Sequence, residues 1–458
     1  ATIYRDTTFT ATKGKFTTKE EGEQAFATIE GKPFTVTDVQ KKRGTEAPPH
    51  LYDLTSLQVD CNRKFGMSAD MTLKIIQTLY ERKLTTYPRV DTQYLSDDIY
   101  PKCGGILNGI KGYDQLLTAL RGKPLKKAKK VFDTSKVTDH HAIIPTGVPA
   151  QGLTDMERHV YDLIARRFIS VFYPDCKFAT TTVMGDVDGI EFKATGKLIL
   201  DPGWRAVYAK GAADRQTADD GDAKPQDEER TLPAFEKGES GEHTPTLTEK
   251  WTTPPKYYTE ATLLRAMETA GKFVDNEELR AALKENGIGR PSSRAGIIET
   301  LFKRHYIRRE RKNLVATATG IELIDLIKEE LLKSCELTGI WEKKLRDIEH
   351  KTYDPAQFIS ELKEQIATIV HDVLSDNSNR RVTILNEEDL KKKTKRKTAA
   401  KPKATTATKS AAKPGDAAGV KPGDVCPVCG KGVVIKGKTA YGCSRWKEGC
   451  SFRLPFEQ

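Results

Sequence analysis

Along residues 1–46 apolar and polar positions alternate, as at Phe34, Val36 and Val39 after Lys32-Pro33, which predicts short strands. Pro48-Pro49 then marks a boundary, because neither residue extends a ladder or a helix interior. From Ser68 the period becomes helical. Ser68 serves as N-cap, Met71, Ile75, Ile76, Leu79 and Tyr80 share one face, and the helix is expected to finish near Lys83. A second helix is predicted from Thr154 to Phe172, with Val160, Leu163, Ile164, Phe168 and Val171 as its apolar face. Strands return at Thr180–Val183 and Phe192–Leu200 and close on Pro202-Gly203-Trp204. Residues 211–230, acidic and poor in apolar groups, read as a surface loop. Helices follow at 259–271, 276–285 and 292–304, then a hairpin over Arg308–Leu314 and further helices to about Leu374. From Lys391 to Pro422 the chain is Lys, Ala, Thr and Pro with almost nothing to bury, so a disordered basic linker is expected before a small final unit.

A chain of 458 residues has room for two to four domains. No run of eighteen apolar residues occurs, and no charged-then-apolar leader opens the chain, so neither a membrane span nor secretion is expected. The opening at Ala1 reads as mid-domain sequence and suggests a fragment. A net charge of +11 and a pI near 9.0 favour a polyanionic partner, nucleic acid being the commonest, although much of the excess lies in one tail. Four scattered cysteines (Cys61, Cys103, Cys176, Cys335) read as reduced thiols of an intracellular protein.

Chemistry concentrates at Thr85-Thr86-Tyr87-Pro88-Arg89-Val90-Asp91. Pro88 disfavours helical geometry at Tyr87, so the phenol is presented from an extended turn. A phenol attacks phosphorus poorly without nearby positive charge, and Arg89 lies two residues away, on the same side of an extended chain. Asp91 continues that side and is expected to orient the guanidinium. Taken alone, the segment is more often a buried Tyr at a helix end beside a solvated Arg.

Leu84-Thr85-Thr86-Tyr87-Pro88-Arg89-Val90-Asp91-Thr92 resembles the active-site signature of type IA DNA topoisomerases, particularly the topoisomerase III branch. The usual pattern is Ile-Thr-Tyr-Pro-Arg-Thr/Ser-Asp, from which Val90 departs. Tyr52-Asp53-Leu54-Thr55-Ser56-Leu57-Gln58 and Gly66-Met67-Ser68-Ala69 are similar to the family's lead-in. Thr138-Asp139-His140-His141-Ala142-Ile143-Ile144-Pro145-Thr146 resembles the segment that carries the family's active-site His, which falls on His140. A His beside a phosphate is driven toward its cationic form and donates to a non-bridging oxygen. Without the Tyr motif the same stretch is a His pair in a polar loop.

Gly287-Ile288-Gly289-Arg290-Pro291-Ser292-Ser293-Arg294-Ala295 is a third match. It is a glycine turn feeding a helix N-terminus, where free N–H groups and the helix dipole favour a phosphate. By itself it is as readily an ordinary capped helix. With the basic hairpin from Tyr306 to Leu314 and the helix after it, the layout resembles a winged helix. The resemblance implies that Arg290 and Ser293 hold single-stranded DNA leading to the cut, with Asp91, Ser292, Arg294 and Trp446 as further DNA contacts.

Cys426, Cys429, Cys443 and Cys450 form a C-x2-C…C-x6-C set, the spacing of a tetrahedral Zn2+ site. So small a unit has too little core to fold without such a staple. It resembles the zinc ribbons at type IA C-termini, where Tyr441, Arg445, Trp446 and Phe452 could stack on bases. Gly432 to Thr439 fits the P-loop pattern, but it lies between the metal ligands with no helix to open, so a nucleotide site is rejected. Asp186-Val187-Asp188-Gly189 reads as a β-turn rather than a metal site. By resemblance, the Mg2+ ligands belong to a Toprim-type domain that nothing in this chain matches.

The fold class implied is multidomain α+β: a type IA toroid plus a C-terminal zinc ribbon. Residues 1–46 and 151–240 would form a β-rich arch, 47–150 the gate domain with Tyr87, and 241–375 a helical DNA-binding base. Residues 376–423 would be linker and 424–458 the ribbon. The implied activity is ATP-independent cleavage of one strand through a 5′-phosphotyrosine, strand passage and religation. It would relax negative supercoils or decatenate, and this chain alone would lack half of its catalytic site. Single-stranded DNA and negatively supercoiled duplex are the implied partners, with a helicase as an optional one and no membrane. The implied location is the bacterial cytoplasm at the nucleoid, or the nucleus of a eukaryote. The competing readings are a non-catalytic single-strand-binding protein or topoisomerase remnant. A tyrosine recombinase is more distant, because no Arg…His-x-x-Arg framework is present.

Overall fold

Strands β1 (Thr2–Tyr4) and β2 (Thr7–Ala11), helix α1 (Lys19–Ile29) and strand β3 (Phe34–Glu46) open the chain. The computed structural model describes residues 1–208, 229–376, 381–384, 423–426, 432–436, 440–445, 450 and 452–455. The acidic loop and the basic linker expected from the sequence therefore lie almost wholly outside the described residues. Helices α2 (Leu54–Phe65), α3 (Ala69–Glu81), α4 (Tyr100–Gly109), α5 (Asp114–Thr118) and α6 (Asp155–Ser170) follow. Strands β4 (Cys176–Val187), β5 (Ile190–Asp201), β6 (Ser240–Gly241) and β7 (Thr244–Pro245) come next.

All seven strands form one antiparallel sheet in the order β6-β3-β4-β5-β2-β1-β7. Its two edge strands, β6 and β7, are separated in sequence only by Glu242 and His243. That short link draws the edges together, so the sheet curls. Tyr4, Phe9, Phe34, Phe192 and Phe235 fill the curl, with Phe9 and Phe34 ring centroids 4.7 Å apart. Gly185 is required there, since a Cβ would sit 1.9 Å from the Phe34 ring.

A separate core unites the helices. It holds Leu54 and Leu57 of α2, Ile76 and Leu79 of α3, and Ile164 and Phe168 of α6. Helix α2 has no clear apolar stripe because Thr55, Ser56 and Gln58 are buried with its leucines; a capping box between Asp53 and Ser56 starts it. Ser68 caps α3 as expected, but the buried face is Ala69, Thr72, Leu73, Ile76 and Leu79. Met71 and Tyr80 are exposed instead. Helix α6 starts on a Thr154–Glu157 capping box and packs on α3. This helix, expected with the second part of the arch, thus lies in the helical core.

Helices α7 (Glu260–Glu268), α8 (Glu277–Asn286) and α9 (Pro291–Lys303) come after the sheet. The hairpin of β8 (Ile307–Glu310) and β9 (Asn313–Ala316) precedes α10 (Ala318–Leu326), α11 (Glu330–Lys333), α12 (Glu336–Glu349) and α13 (Pro355–Leu374). Polar ties join α2 and α3 to α7 and α9. The Glu260 carboxylate accepts from the Ala69 N–H (2.8 Å), and Asn62 Oδ1 accepts from the Ala261 N–H (3.1 Å). Among the described residues no helix is long and apolar enough to cross a membrane. Residues 386–458 form a second unit, containing the three-stranded antiparallel sheet β10 (Val434–Lys436), β11 (Ala440–Cys443) and β12 (Arg453–Pro455).

Candidate active site

Helix α3 ends at Glu81 and Lys83 turns the chain at φ 60°. The next residues are then sewn to the distant His segment. Thr86 N–H donates to the Ile144 carbonyl (3.0 Å), Ile144 N–H donates to Thr86 Oγ1 (3.0 Å), and that hydroxyl donates to the Ala142 carbonyl (3.2 Å). Thr146 N–H donates to the Leu84 carbonyl (3.1 Å), and Ile143 and Leu54 N–H groups tie the same layer to Tyr52 and Val90. Thr86 is thus a positioning residue, and its only local signal in the sequence is a hydroxyl beside the tyrosine.

The extended chain puts Pro88 and Val90 inward and Arg89 and Asp91 outward, with Tyr87 half-buried between. Val90 is 3% exposed, which accounts for an apolar residue at this position. Tyr87 and His140, which the resemblance names together, lie side by side: their ring centroids are 4.3 Å apart at 34°. Tyr80 stands edge-on to the Tyr87 ring at 5.5 Å, which gives its exposed position a use. His141 donates from Nδ1 to the Ala142 carbonyl (2.8 Å) and so orients the loop, while His140 is exposed. The expected pairing of Asp91 with Arg89 is absent: among the described residues neither forms an ion pair, because both point to solvent.

Tyr87, Thr86, His140, His141, Asp98 and Asp139 line a cleft of about 290 Å³. A hydrogen bond from Ser96, with Lys102 and His141 nearby, holds the Asp98 carboxyl below its ordinary range. The cleft therefore brings the Asp98 and Asp139 carboxylates together with two imidazoles. Arg89 is exposed and is not among the residues that line this cleft.

At the start of α9, Gly287 (φ 65°) and Gly289 (φ 67°) make the turn. A Cβ on Gly287 would meet the Met267 carbonyl at 2.3 Å. Arg290 is the exposed N-cap and Pro291 has no N–H. Ser293 donates both N–H (2.9 Å) and Oγ (3.0 Å) to the Arg290 carbonyl, which leaves the Ser292 N–H as the first donor of this helix end. Arg294 corrects the expectation of a DNA contact. It is 2% exposed, with Nη1 donating to Thr55 Oγ1 (2.9 Å) and Nε to the Ile288 carbonyl (3.1 Å), so its charge holds α9 to α2.

In the second unit the sulfurs of Cys426, Cys443 and Cys450 lie within 4.8 Å of one another, an arrangement that can hold a metal ion. Gly432 leaves room for them, since a Cβ there would sit 2.4 Å from Cys443 Sγ. Cys429 and Trp446 lie outside the described residues. The Asp186–Gly189 stretch is a tight turn, with φ 52° at Asp188 and the Gly189 N–H donating to Asp186 Oδ1 (3.0 Å). Among the described residues no second grouping of three His, Cys, Asp or Glu ligands occurs.

A family model described as DNA topoisomerase matches residues 2–360. DNA topoisomerase 3 of Bacillus subtilis is 38% identical over 344 residues, which cover 73% of this chain and 46% of that protein. DNA topoisomerase 3 of Bacillus licheniformis is 37% identical over 363 residues, 77% of this chain and 49% of that one. The chain thus spans about half the length of the curated relatives it matches. Full-length topoisomerase I of Thermotoga maritima superposes with a TM-score of 0.57 at 23% identity, covering 79% of this chain and 56% of that structure, and so shares its fold. The family match over most of the chain and the identity to these relatives establish that it belongs to the type IA DNA topoisomerases, in the topoisomerase III group.

Proposed function

We propose that this chain is the strand-cutting and DNA-holding part of a type IA topoisomerase, with Tyr87 as its nucleophile. The observation that carries the reading is the Tyr87–His140 pair, built from segments over fifty residues apart and locked by Thr86, with the exposed Arg89 two residues along the chain from Tyr87. Tyr87 Oη attacks the phosphorus in line with the 3′ oxygen. The new O–P bond makes a 5′-phosphotyrosine, the P–O3′ bond breaks, and the phenol's proton ends on the released 3′ hydroxyl. Arg89 and His140 hold the charge that builds on the non-bridging oxygens. One phosphoester replaces another, so religation is the reverse step and needs no nucleotide.

Arg290, Ser292 and Ser293 would hold the strand leading to Tyr87, and Asp91 would face the same strand. In the second unit the three clustered thiols fit Zn2+, and Cys429, by its spacing, would complete the set; the metal there supplies a fold rather than chemistry. By the family likeness, Mg2+ and its ligands would belong to a Toprim-type domain. Residues 47–150 would be the gate and the curled sheet the arch, in an enzyme of the bacterial cytoplasm acting on single-stranded and negatively supercoiled DNA.

The test incubates end-labelled single-stranded DNA with this chain plus a Toprim-type domain of the family supplied in trans, then traps covalent protein–DNA adducts in detergent. An adduct lost in Tyr87→Phe is expected. DNA binding with no adduct under any metal condition would leave the protein a single-strand binder.

A further inference from the structure

Between the C-terminal end of α2, the start of α7 and the β8–β9 hairpin lies a small cavity of about 80 Å³ lined by Arg63, Thr259, Glu260, Arg309, Arg311 and Lys312. Its one acid is already committed. Glu260 is 3% exposed, and its two oxygens accept from the Ala69 N–H and from Arg309. Arg309 also reaches Glu299 (3.2 Å) and lies over the Phe302 ring at 3.8 Å. Arg311 and Lys312 differ. Both are exposed, and among the described residues neither forms an ion pair, so nothing in the fold uses their charge.

These two residues are also the whole tip of the hairpin, between Glu310 and Asn313. Two-residue hairpin tips with positive φ favour Asn or Gly. Arg311 nevertheless holds φ 58°. A long cation kept at an angle that Asn would adopt with less strain points to a use for the charge. The flank of the hairpin adds a second feature. Leu314 N–H donates to the Tyr258 carbonyl (2.6 Å), which draws Lys256-Tyr257-Tyr258 alongside β9, and Tyr257 is 64% exposed. Cations beside an exposed aromatic suit a single strand, whose phosphates and base faces are both available.

We propose that this cavity and its hairpin tip hold a backbone phosphate of single-stranded DNA, at a contact separate from the α9 N-terminus. The proposal rests on the nucleic-acid reading above and names a second point at which the strand is gripped. Arg63 comes from α2 and Arg311 and Lys312 from the hairpin, so a strand lodged there touches both elements.

The experiment measures binding of the full chain to a labelled oligothymidine of about 16 nucleotides, by fluorescence anisotropy between about 50 and 200 mM salt. The double variant Arg311→Asn/Lys312→Gln keeps the hairpin, because Asn accepts positive φ, and an unchanged unfolding temperature confirms it. Losing one or two phosphate contacts should lower the log–log salt slope by about 0.7 to 1.4 and the low-salt affinity about tenfold. Tyr257→Ala should weaken binding without changing the slope, since stacking releases no counterions. An unchanged slope and affinity in the double variant, or no binding by the wild-type chain, overturns the proposal. So does a wild-type–variant difference abolished by millimolar inorganic phosphate, which would make the occupant a free anion. Failure of the catalytic reading is separate, because it is read from the Tyr87 adduct and not from binding.

Discussion

Thr86→Val tests whether the tyrosine loop is held by one hydroxyl. Valine keeps the shape and removes an oxygen that accepts from the Ile144 N–H at 3.0 Å and donates to the Ala142 carbonyl at 3.2 Å. The Ala142 carbonyl keeps His141 Nδ1 as a donor at 2.8 Å. The Ile144 N–H loses the acceptor it has in this fold, and Ile144 is 1% exposed, so water does not replace it. An orphaned buried donor costs about 1–3 kcal/mol. At about 2 kcal/mol, local opening of the segment becomes roughly 30-fold more frequent. Hydrogen–deuterium exchange of a peptide spanning residues 140–148 reads that directly, with Thr86→Ser expected to restore protection. The adduct yield should fall in parallel, since His140 rides on the same segment. Protection in Thr86→Val within twofold of wild type would refute the reasoning, and the loop would then be held by its backbone pairing alone.

Arg294→Ala should lower stability by about 2–3 kcal/mol through lost hydrogen bonds from a buried charge, whereas Arg290→Ala should leave the unfolding temperature unchanged and weaken single-strand binding. Gly287→Ala forces a side chain into φ 65° and ψ −151° and against the Met267 carbonyl; a loss of more than about 3 kcal/mol is expected in thermal unfolding. A hydrogen bond from Lys344, then bonds from Tyr353 and Gln357, lower the Glu361 carboxyl from 4.5 to about 2. A depressed folded pKa means that this link stabilises the α12–α13 pair above pH 4.5 and is lost as pH falls from 4.5 toward 2, so the acid-induced loss of helical circular dichroism should be smaller in Glu361→Gln than in wild type. Cys443→Ser should abolish the one bound zinc per chain expected by elemental analysis; retention of that zinc would remove Cys443 from the ligand set.

The helices with a clean apolar period were legible: α6 and the Ser68-capped α3 begin where the capping residues and spacing place them. Helix α2 was not, because a layer packed on both sides buries Thr55, Ser56 and Gln58 and erases the stripe. Helix α1 buries only Gly22 and Ile29, so its polar sequence carried no period to detect. On α3, Met71 and Tyr80 matched the apolar face in spacing yet face outward, since Tyr80 is placed against the Tyr87 ring.

The candidate site divides in the same way. Spacing along the chain singled out the cysteine set as a metal-site candidate, whereas Tyr87, Arg89 and His140 became candidates only through resemblance to a family motif, because their residue types alone suit a buried tyrosine and a polar His pair equally well. Which cations meet solvent was decided by tertiary packing alone. Arg290 and Arg294 lie four residues apart on one motif, and the helix turns one outward and drives the other into the core against Thr55. The grip of Thr86 on Ala142 and Ile144 joins segments more than fifty residues apart. Local sequence encodes which groups can form such a bond. Only the folded chain decides which of them meet, because burial and long-range pairing are properties of the whole core.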